Sequence, residues 1–376
     1  MLNRLTINSI AARAVLAPMP RPVRTASGDI LAAPLVLVDV QTNEGIVGRS
    51  YAFAYNPLML RSLVQFLRDV APDLVGKAVS PRERMRQLEK RLTLVGWQGI
   101  AGMAVGALDM ALWDALGRAA NLPVAVLLGG EAKPLDAYDS YGILDIKTDL
   151  AWIEASVESG FEAIKIKLGA GEVANDVAVV AAVRKLIGPK VRLMIDFNQS
   201  QTTASAIDRI LRLQEFDLTW VEEPVAADDL QGHCAVREAV HPVLIQTGEN
   251  WWFPRGMANA IAARASDLAM IDIMKIGGVT GWISAAGQAE AASLPLSSHT
   301  FIEASAHTMA ASPTASWFEY LDLAGAVLTE PLLPNKGKVV PRGPGLGLEW
   351  DEKAVHNSHL SDVSEQFADY RDQLLS

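Results

Sequence analysis

Seven ionisable residues recur along the second half of the chain at intervals of 20 to 29 residues. Each lies at or near the end of a short apolar run: Lys167, Asp196, Glu222, Glu249, Asp272, His299 and Glu319. One strand and one helix of a (β/α) barrel take up about 30 residues, so the charges recur about once per unit. Burying such groups is costly unless they are paired or bind a metal. The pattern therefore predicts one shared site at the mouth of a barrel, where barrel active sites lie.

Three of these residues are carboxylates on three consecutive predicted strands: Asp196, Glu222 and Glu249. Hard oxygen ligands without cysteine or histidine suit Mg²⁺ better than Zn²⁺. Each carboxylate could instead cap the helix that follows it, but three in register favour a metal site. Glu223 follows Glu222 and points away by strand alternation, as a partner of the ligands.

The candidate acid–base groups are two lysines, a histidine and a glutamate. Lys165 and Lys167 share one strand face, and like charges lower each other's pKa, which favours a neutral amine as general base. The pair also suits anion binding or a Schiff base. His299 and Asp272 fall on adjacent strands, where the carboxylate can orient the imidazole. His299 alone also fits a core histidine bonded to a backbone carbonyl.

Glu319 stands between aromatic residues in Trp-Phe-Glu-Tyr. Apolar neighbours are expected to raise its pKa and keep it protonated as a hydrogen-bond donor. The alternative is an outward-facing glutamate on a partly exposed strand.

The elements that must position these residues are eight apolar runs separated by seven helical stretches. The runs are Leu135–Tyr141, Ala163–Gly169, Val191–Asn198, Trp220–Val225, Val243–Asn250, Leu268–Lys275, Leu294–Phe301 and Ser316–Leu323. Such alternation predicts a parallel sheet, and eight strands close a barrel. We therefore assign residues 133–325 to a (β/α)7β catalytic barrel, without the usual eighth helix.

Residues 1–132 change from strand to helix periodicity at Leu58, which predicts an α+β capping domain. Pro18 to Ile30, rich in Pro, Gly, Ser and Arg, is expected to form a loop or loose hairpin between its first strands. Residues 326–376 begin with a Gly- and Pro-rich stretch, and we expect them to leave the barrel and pack on the capping domain.

Composition narrows the possible partners. The 376 residues carry a net charge of −10 without a basic block, so nucleic acid and anionic membranes are poor partners. One cysteine, Cys234, excludes an intramolecular disulfide and allows a reducing compartment. The start lacks a signal-peptide pattern, and no apolar run predicts a membrane span. We expect a soluble cytoplasmic protein that acts on a small molecule.

The motifs AYDSYG, KIKLG, IDFNQS, WVEEP, GENW, DIMKIGGVTGW, SSHTF and DLAG occur in this order along the chain. With PLVLVDV, GRSYAFAY and ALDMALWDALG they span nearly its whole length. In this the chain resembles the mandelate racemase subgroup of the enolase superfamily. The resemblance implies a modified TIM barrel with a capping domain completed by the C-terminal tail. It also implies a homo-oligomer, an octamer or a smaller symmetric assembly.

The resemblance further implies a role for each site residue. The ligands of Mg²⁺, which would chelate a substrate carboxylate and α-hydroxyl, would be Asp196, Glu222 and Glu249. Lys167 and His299 would move the α-proton on opposite faces, with Asp272 orienting His299. Glu319 would donate a hydrogen bond to the enediolate formed from the carboxylate. Three residues would contact the substrate: Lys165, Ser140 and Asn198.

Three polar residues depart from the apolar pocket of the subgroup and become candidate substrate contacts: Arg24, Ser27 and Thr300. The sequence thus predicts a Mg²⁺-dependent racemase of a 2-hydroxy carboxylate, mandelate or a more polar relative. The alternative is an acid-sugar-type dehydratase using the same enediolate. A Schiff-base aldolase and a non-enzymatic scaffold are further alternatives; the first predicts activity without metal, and the second predicts no Mg²⁺ binding.

Overall fold

The fold was analysed in a computed structural model that describes residues 5–25 and 28–360. The chain begins with an antiparallel sheet of β1 (Ile7–Thr25), β2 (Gly28–Thr42) and β3 (Val47–Phe53), in that order. The segment expected to be a loop or loose hairpin is a hairpin, formed by the ends of β1 and β2. Pairing shifts register between Pro18 and Val23 and resumes from Val23 opposite Ile30. The two strands therefore form one long hairpin that reaches beyond the sheet.

Four helices follow: α1 (Leu60–Leu74), α2 (Pro81–Leu92), α3 (Ile100–Ala120) and the short α4 (Val124–Leu127). Helix α3 packs so closely on β3 that a Cβ at Gly48 would lie 2.1 Å from the Ala111 carbonyl oxygen. Among the described residues, α3 alone is long and apolar enough to cross a membrane, and 78% of that stretch is buried inside the protein. Burial of this kind is typical of a core helix.

Eight parallel strands form the predicted barrel: β4 (Leu135–Ile143), β5 (Ala163–Lys167), β6 (Arg192–Asp196), β7 (Leu218–Glu222), β8 (Ile245–Thr247), β9 (Leu268–Asp272), β10 (Leu296–His299) and β11 (Phe318–Tyr320). Strands β4 to β10 pair in chain order, and β11 pairs with β4. A parallel bridge between Leu296 and Ala315 joins β10 to the start of the β11 segment. These pairings close the ring.

The seven predicted helices lie between the strands: α5 (Leu150–Glu158), α6 (Val173–Ile187), α7 (Thr203–Leu213), α8 (Leu230–Val240), α9 (Phe253–Ala262), α10 (Gly278–Ala291) and α11 (Ile302–Ala310). Two of them begin with a side-chain cap. The Thr202 side chain accepts from the Ser205 amide, and that of Asp229 from the Gly232 amide. The (β/α)7β prediction is confirmed.

The side chains that point into the barrel form two layers, an apolar layer and a polar layer nearer the mouth. An apolar cluster of Tyr138, Ala163, Met194, Trp220 and Leu268 fills it below the mouth. Two residues further along four of those strands stand polar residues: Ser140, Lys165, Asp196 and Glu222. Because side chains on a strand repeat every two residues, both layers face inward. The apolar layer closes the barrel, and the polar layer forms the floor of a cavity.

The C-terminal segment leaves the barrel as predicted. Strand β12 (Lys338–Val339) pairs antiparallel with the start of β4. Before helix α12 (Glu352–Ser358), the indole of Trp350 donates to Asp39 on β2 at 2.8 Å. The segment therefore packs on the N-terminal sheet and completes the cap.

One buried carboxyl joins cap and barrel and makes folding depend on pH. Glu303 of α11 accepts a hydrogen bond from the Tyr51 hydroxyl at 2.8 Å, while its Oε1 has no partner. Burial, reinforced by the charge of Asp322, raises the pKa of Glu303 to about 7. Glu303 is therefore protonated in the folded protein under mildly acidic conditions.

We expect Glu303→Gln to flatten the pH dependence of stability. A raised folded-state pKa gives stability that is complete below the ordinary value of 4.5 and is lost as pH rises through about 7. Gln removes that loss, on the order of 3 kcal/mol at pH 8. Urea unfolding at pH 5 and pH 8 measures it, with the exposed Glu330→Gln as control. If the free energy of unfolding changes equally between pH 5 and pH 8 in wild type and Glu303→Gln, the raised pKa of Glu303 is contradicted.

Candidate active site

Three buried carboxylates form the centre of the polar layer. Asp196 and Glu222 are the last residues of β6 and β7, and Glu249 lies two residues beyond β8. One oxygen of each lies within 4.8 Å of the others. Glu249 Oε2 is buried and accepts no hydrogen bond, although His299 Nε2 lies 3.3 Å away. Clustered carboxylate oxygens with an unused buried acceptor fit a hard divalent cation.

Two lysines from β5 neutralise part of this cluster. Lys165 Nζ lies 2.8 Å from Glu222 Oε1 and 2.7 Å from Glu319 Oε1, whereas Lys167 pairs with Asp196. Burial disfavours both ammonium groups, but the carboxylates outweigh it and raise the pKa of each lysine. The expectation of a lowered pKa is therefore wrong for this structure. Lys165 does lower the pKa of Lys167, but carboxylates from other strands outweigh it.

Glu319 also differs from the expectation. Burial favours its protonated form, but Lys165, followed by His299, outweighs burial and lowers the pKa of Glu319 to about 2. The pKa of Glu319 thus moves opposite to the direction expected from its apolar neighbours in sequence. Its carboxylate accepts from the Ser140 hydroxyl at 2.8 Å and from the Thr300 amide at 2.8 Å. Glu319 thereby orients residues on the neighbouring strands.

His299 lies on the other side of the cluster from the lysines. Its Nδ1 is 2.8 Å from Asp272 Oδ2, at the end of the adjacent strand. Burial lowers the basicity of the imidazole, but Glu249 and Asp272 outweigh it and raise the pKa of His299. The structure thus brings together the histidine and aspartate that the sequence placed on adjacent strands.

Several neighbours of the site were not assigned a role from the sequence. Lys275 is buried and donates to Asn250 Oδ1 at 2.6 Å, while Asn250 donates to both oxygens of Glu223 and to Glu249. Tyr55, from the cap, donates to Asp272 at 3.2 Å. Lys275 and Asn250 stand inside two of the quoted motifs, DIMKIGG and GENW, so a signal was present. Tyr55 ends another quoted motif, GRSYAFAY, but its contact with Asp272 depends on how the cap packs on the barrel.

A cavity of about 720 Å³ opens above the polar layer, between barrel and cap. Its floor includes four residues proposed to contact substrate or its protons: Ser140, Lys167, Asn198 and His299. Its walls are mainly apolar: Met19, Val23, Ile30, Phe53, Met103, Trp252, Leu321 and Leu323. Thr300 also lines it. The site can therefore hold a small carboxylate with an apolar side chain.

One polar residue predicted to contact substrate does not line this cavity. Arg24 is absent from its lining, and its guanidinium lies 2.5 Å from Asp149. The strand alternates, so Val23 faces the cavity and Arg24 faces away. The prediction for Arg24 is therefore corrected, although Thr25 and Asp29 on the same hairpin do line the cavity. Ser27, the other predicted contact on this hairpin, lies outside the described residues.

Charge at the mouth remains unbalanced. Six buried carboxylates face three lysines and one histidine: Asp196, Glu222, Glu223, Glu249, Asp272 and Glu319 against Lys165, Lys167, Lys275 and His299. Buried carboxylates in excess need a further cation or protons. Burial raises the pKa of Glu222 and Glu223 well above the ordinary value, so a bound cation would favour their ionised forms.

A (β/α)7β barrel under an α+β cap, with this carboxylate cluster between a lysine and a histidine, defines an enzyme of the enolase superfamily. A family profile described as "Enolase C-terminal domain-like" matches residues 149–354. The profile "Mandelate racemase / muconate lactonizing enzyme, N-terminal domain" matches residues 9–129. The chain belongs to this family, in the mandelate racemase subgroup.

Three relatives illustrate the range of activities. A crystal structure of an enolase from Bradyrhizobium, complexed with magnesium and mandelic acid, is 52% identical; it covers 96% of this chain and 100% of its own, with TM-score 0.94. The 3,6-anhydro-alpha-L-galactonate cycloisomerase of Streptomyces coelicolor is 31% identical, over 89% of this chain and 94% of its own. The L-talarate/galactarate dehydratase of Salmonella typhimurium is 28% identical, over 87% of this chain and 83% of its own. The protein is accordingly an enzyme, an isomerase or a dehydratase.

Proposed function

We propose that the protein is a Mg²⁺-dependent racemase of a 2-hydroxy carboxylate and works by two bases. The observation that carries this proposal is the placement of Lys167 and His299. Lys167 contacts Asp196 at one end of the carboxylate cluster, and His299 lies beside Glu249 at the other. A substrate carboxylate held above the cluster would expose opposite faces of its α-carbon to the two side chains. Such a pair makes both enantiomers accessible.

The proton α to a carboxylate is very weakly acidic, so the site must stabilise the enediolate that forms when it leaves. Bound by Asp196, Glu222 and Glu249, Mg²⁺ would supply positive charge to the substrate carboxylate and α-hydroxyl. Lys167 would lose Asp196 as its counter-ion once that carboxylate is a ligand, which favours its neutral, basic form.

The other residues of the polar layer hold the substrate carboxylate. Lys165 and Ser140 offer a cation and a hydroxyl beside it. An anion bound next to Glu319 raises the pKa of that carboxyl, and the protonated form can donate to the enediolate. His299 holds the second proton with Asp272 on its Nδ1, which leaves Nε2 for the α-carbon.

Mandelate or a similar aryl acid is the substrate class best supported by the cavity. Val23, Ile30 and Leu321 face the space above the bases, and Arg24 does not. An aromatic ring buried against such side chains gains hydrophobic free energy. The Bradyrhizobium relative was crystallised with mandelic acid, which agrees with this choice.

An acid-sugar-type dehydratase is the second candidate. Thr25 and Asp29 also line the cavity and could contact substrate hydroxyls, and one relative is an L-talarate/galactarate dehydratase. This reaction needs one base and an acid that expels hydroxide. The apolar walls favour the racemase.

Incubating each enantiomer of mandelate with the enzyme and Mg²⁺ in D₂O tests the proposal. We expect deuterium at the α-carbon of both enantiomers and loss of optical rotation, without release of a 2-keto acid. Acid sugars serve as the parallel substrate set. Keto-acid formation from them, with no exchange in mandelate, would replace the racemase by the dehydratase.

A further inference from the structure

Two ion pairs tie the tip of the cap hairpin to the barrel. The Arg21 guanidinium donates to both oxygens of Asp139 on β4, at 2.9 and 2.6 Å. Arg24 lies 2.5 Å from Asp149, just before α5, and also contacts the Ile143 carbonyl. The aspartate side chains are only 4% and 2% exposed. Buried carboxylates are costly to leave unpaired, so these pairs hold the hairpin firmly.

The Arg21–Asp139 pair lies on the outer side of β4, whose inner side faces the site. Asp139 and Tyr141 alternate with Ser140, which faces the cavity floor and contacts Glu319. Tyr141 donates to Asp139 at 2.9 Å, and the Arg21 guanidinium lies 4.1 Å from the centre of its ring. Arg21 therefore binds the outer face of β4, next to Ser140, which is proposed to contact substrate from the inner face.

The backbones touch at the same place. A Cβ on Gly142 would lie 2.4 Å from the Arg24 nitrogen and 2.5 Å from its carbonyl oxygen. Only glycine lets the hairpin approach β4 so closely. The contact fixes the depth at which Val23, next to Arg24, enters the cavity.

A second cavity, of about 420 Å³, lies behind this part of the hairpin. It shares four lining residues with the first: Met19, Val23, Ser140 and Leu321. The segment Met19–Arg24 thus lies between the two cavities, and we call it the partition. The room behind it would receive a longer substrate side chain if the partition moved back.

We propose that Arg21 and Arg24 are positioning residues that hold this partition and so limit the length of the substrate side chain. The two ion pairs fix the positions of Val23 and Met19, which line the cavity. They influence substrate binding in this way without contacting the substrate. The proposal rests on the proposed function for its substrate, but the partition itself does not.

The test uses Arg24→Gln and Asp149→Asn in the full-length enzyme. Amide hydrogen exchange over residues 19–25 is expected to accelerate at least about tenfold, since the segment loses an anchor. With mandelate, KM rises about tenfold and kcat changes little, because binding rather than chemistry is affected. The preference for mandelate over 4-tert-butylmandelate falls by a similar factor. Arg24→Lys, which retains the charge, restores most of each value.

The control is Arg237→Gln, which breaks a 2.5 Å pair with Asp267 that is not part of either cavity lining. The two arginines are similarly exposed, 26% for Arg237 and 34% for Arg24, whereas Asp267 is more exposed than Asp149. It should leave exchange at 19–25 and the substrate preference unchanged. Unchanged hydrogen exchange in both test variants would contradict the proposal that the ion pair holds the partition in place. An unchanged substrate preference would contradict the role of the partition in specificity. Hydrogen exchange needs no substrate, so it tests the anchoring of the partition even if the wild-type enzyme does not racemise mandelate. If Arg24→Gln does not fold, Asp149→Asn, which leaves a partly exposed arginine, carries the test.

Discussion

Replacing Lys167 by Met, or His299 by Asn, is expected to abolish racemisation while each variant retains half of the proton chemistry. The two groups lie at opposite ends of the carboxylate cluster, so each would serve one face of the α-carbon. Removing a general base costs about 10² to 10⁴ in rate. Each variant should therefore exchange the α-proton of one enantiomer at an appreciable rate, and the two variants should retain opposite enantiomers. Proton NMR of separate enantiomers in D₂O measures this directly.

The matched control for Lys167→Met is Lys185→Met, a lysine of helix α6 on the outside of the barrel. It should keep both exchange reactions. Retention of the same enantiomer by both variants would contradict a two-base site and favour one base with water on the other face. Exchange of neither enantiomer by either variant would instead indicate that the two residues act on the same step.

Removal of divalent cations is expected to abolish activity, and Glu249→Gln is expected to weaken the response to Mg²⁺. The three ligand oxygens converge within 4.8 Å, and without a cation the enediolate charge has no adequate counterpart. Losing one carboxylate should raise the Mg²⁺ concentration for half-maximal activity at least about 100-fold, since even outer-shell changes cost 10- to 100-fold. Activity titrations after EDTA treatment measure both effects.

Glu303→Gln provides the control for Glu249→Gln, because Glu303 is equally buried but lies outside the cluster. Its Mg²⁺ midpoint should equal that of the wild type. Activity that survives complete metal removal would contradict the magnesium assignment. Trapping of a substrate on Lys165 or Lys167 by borohydride would then support the Schiff-base alternative.

The barrel was predictable because its signal is local and repeated. Each strand is a short apolar run, each run after the first has an ionisable residue at or near its end, and the spacing of these residues matches one βα unit. Alternation then placed Lys165 and Lys167 on one face and Glu223 away from Glu222. These inferences need only neighbouring residues, and the folded chain agrees with the first of them: both lysines reach carboxylates of the same cluster.

The charge states were not predictable in the same way. The pKa values of Lys167 and Glu319 move opposite to expectation, because their partners come from other strands. The pairing within the hairpin could not be predicted for a similar reason. Pro, Gly and Ser favour a loop locally, but β1 and β2 pair again from Val23 opposite Ile30 after a register shift. The inward or outward direction of Arg24 depends on that register and could not be read from composition.

The division of the barrel interior into an apolar layer and a polar layer has an evolutionary consequence. The residues proposed to carry the reaction occupy the strand tips, while an apolar layer that closes the barrel core lies two positions earlier. A single substitution at a tip can therefore remove or add a base, or retune a ligand, without a change in core packing. Since clustered carboxylates are themselves unfavourable, such changes can even increase stability. This separation explains how one inherited scaffold can diversify into cycloisomerases and dehydratases such as those related to this chain.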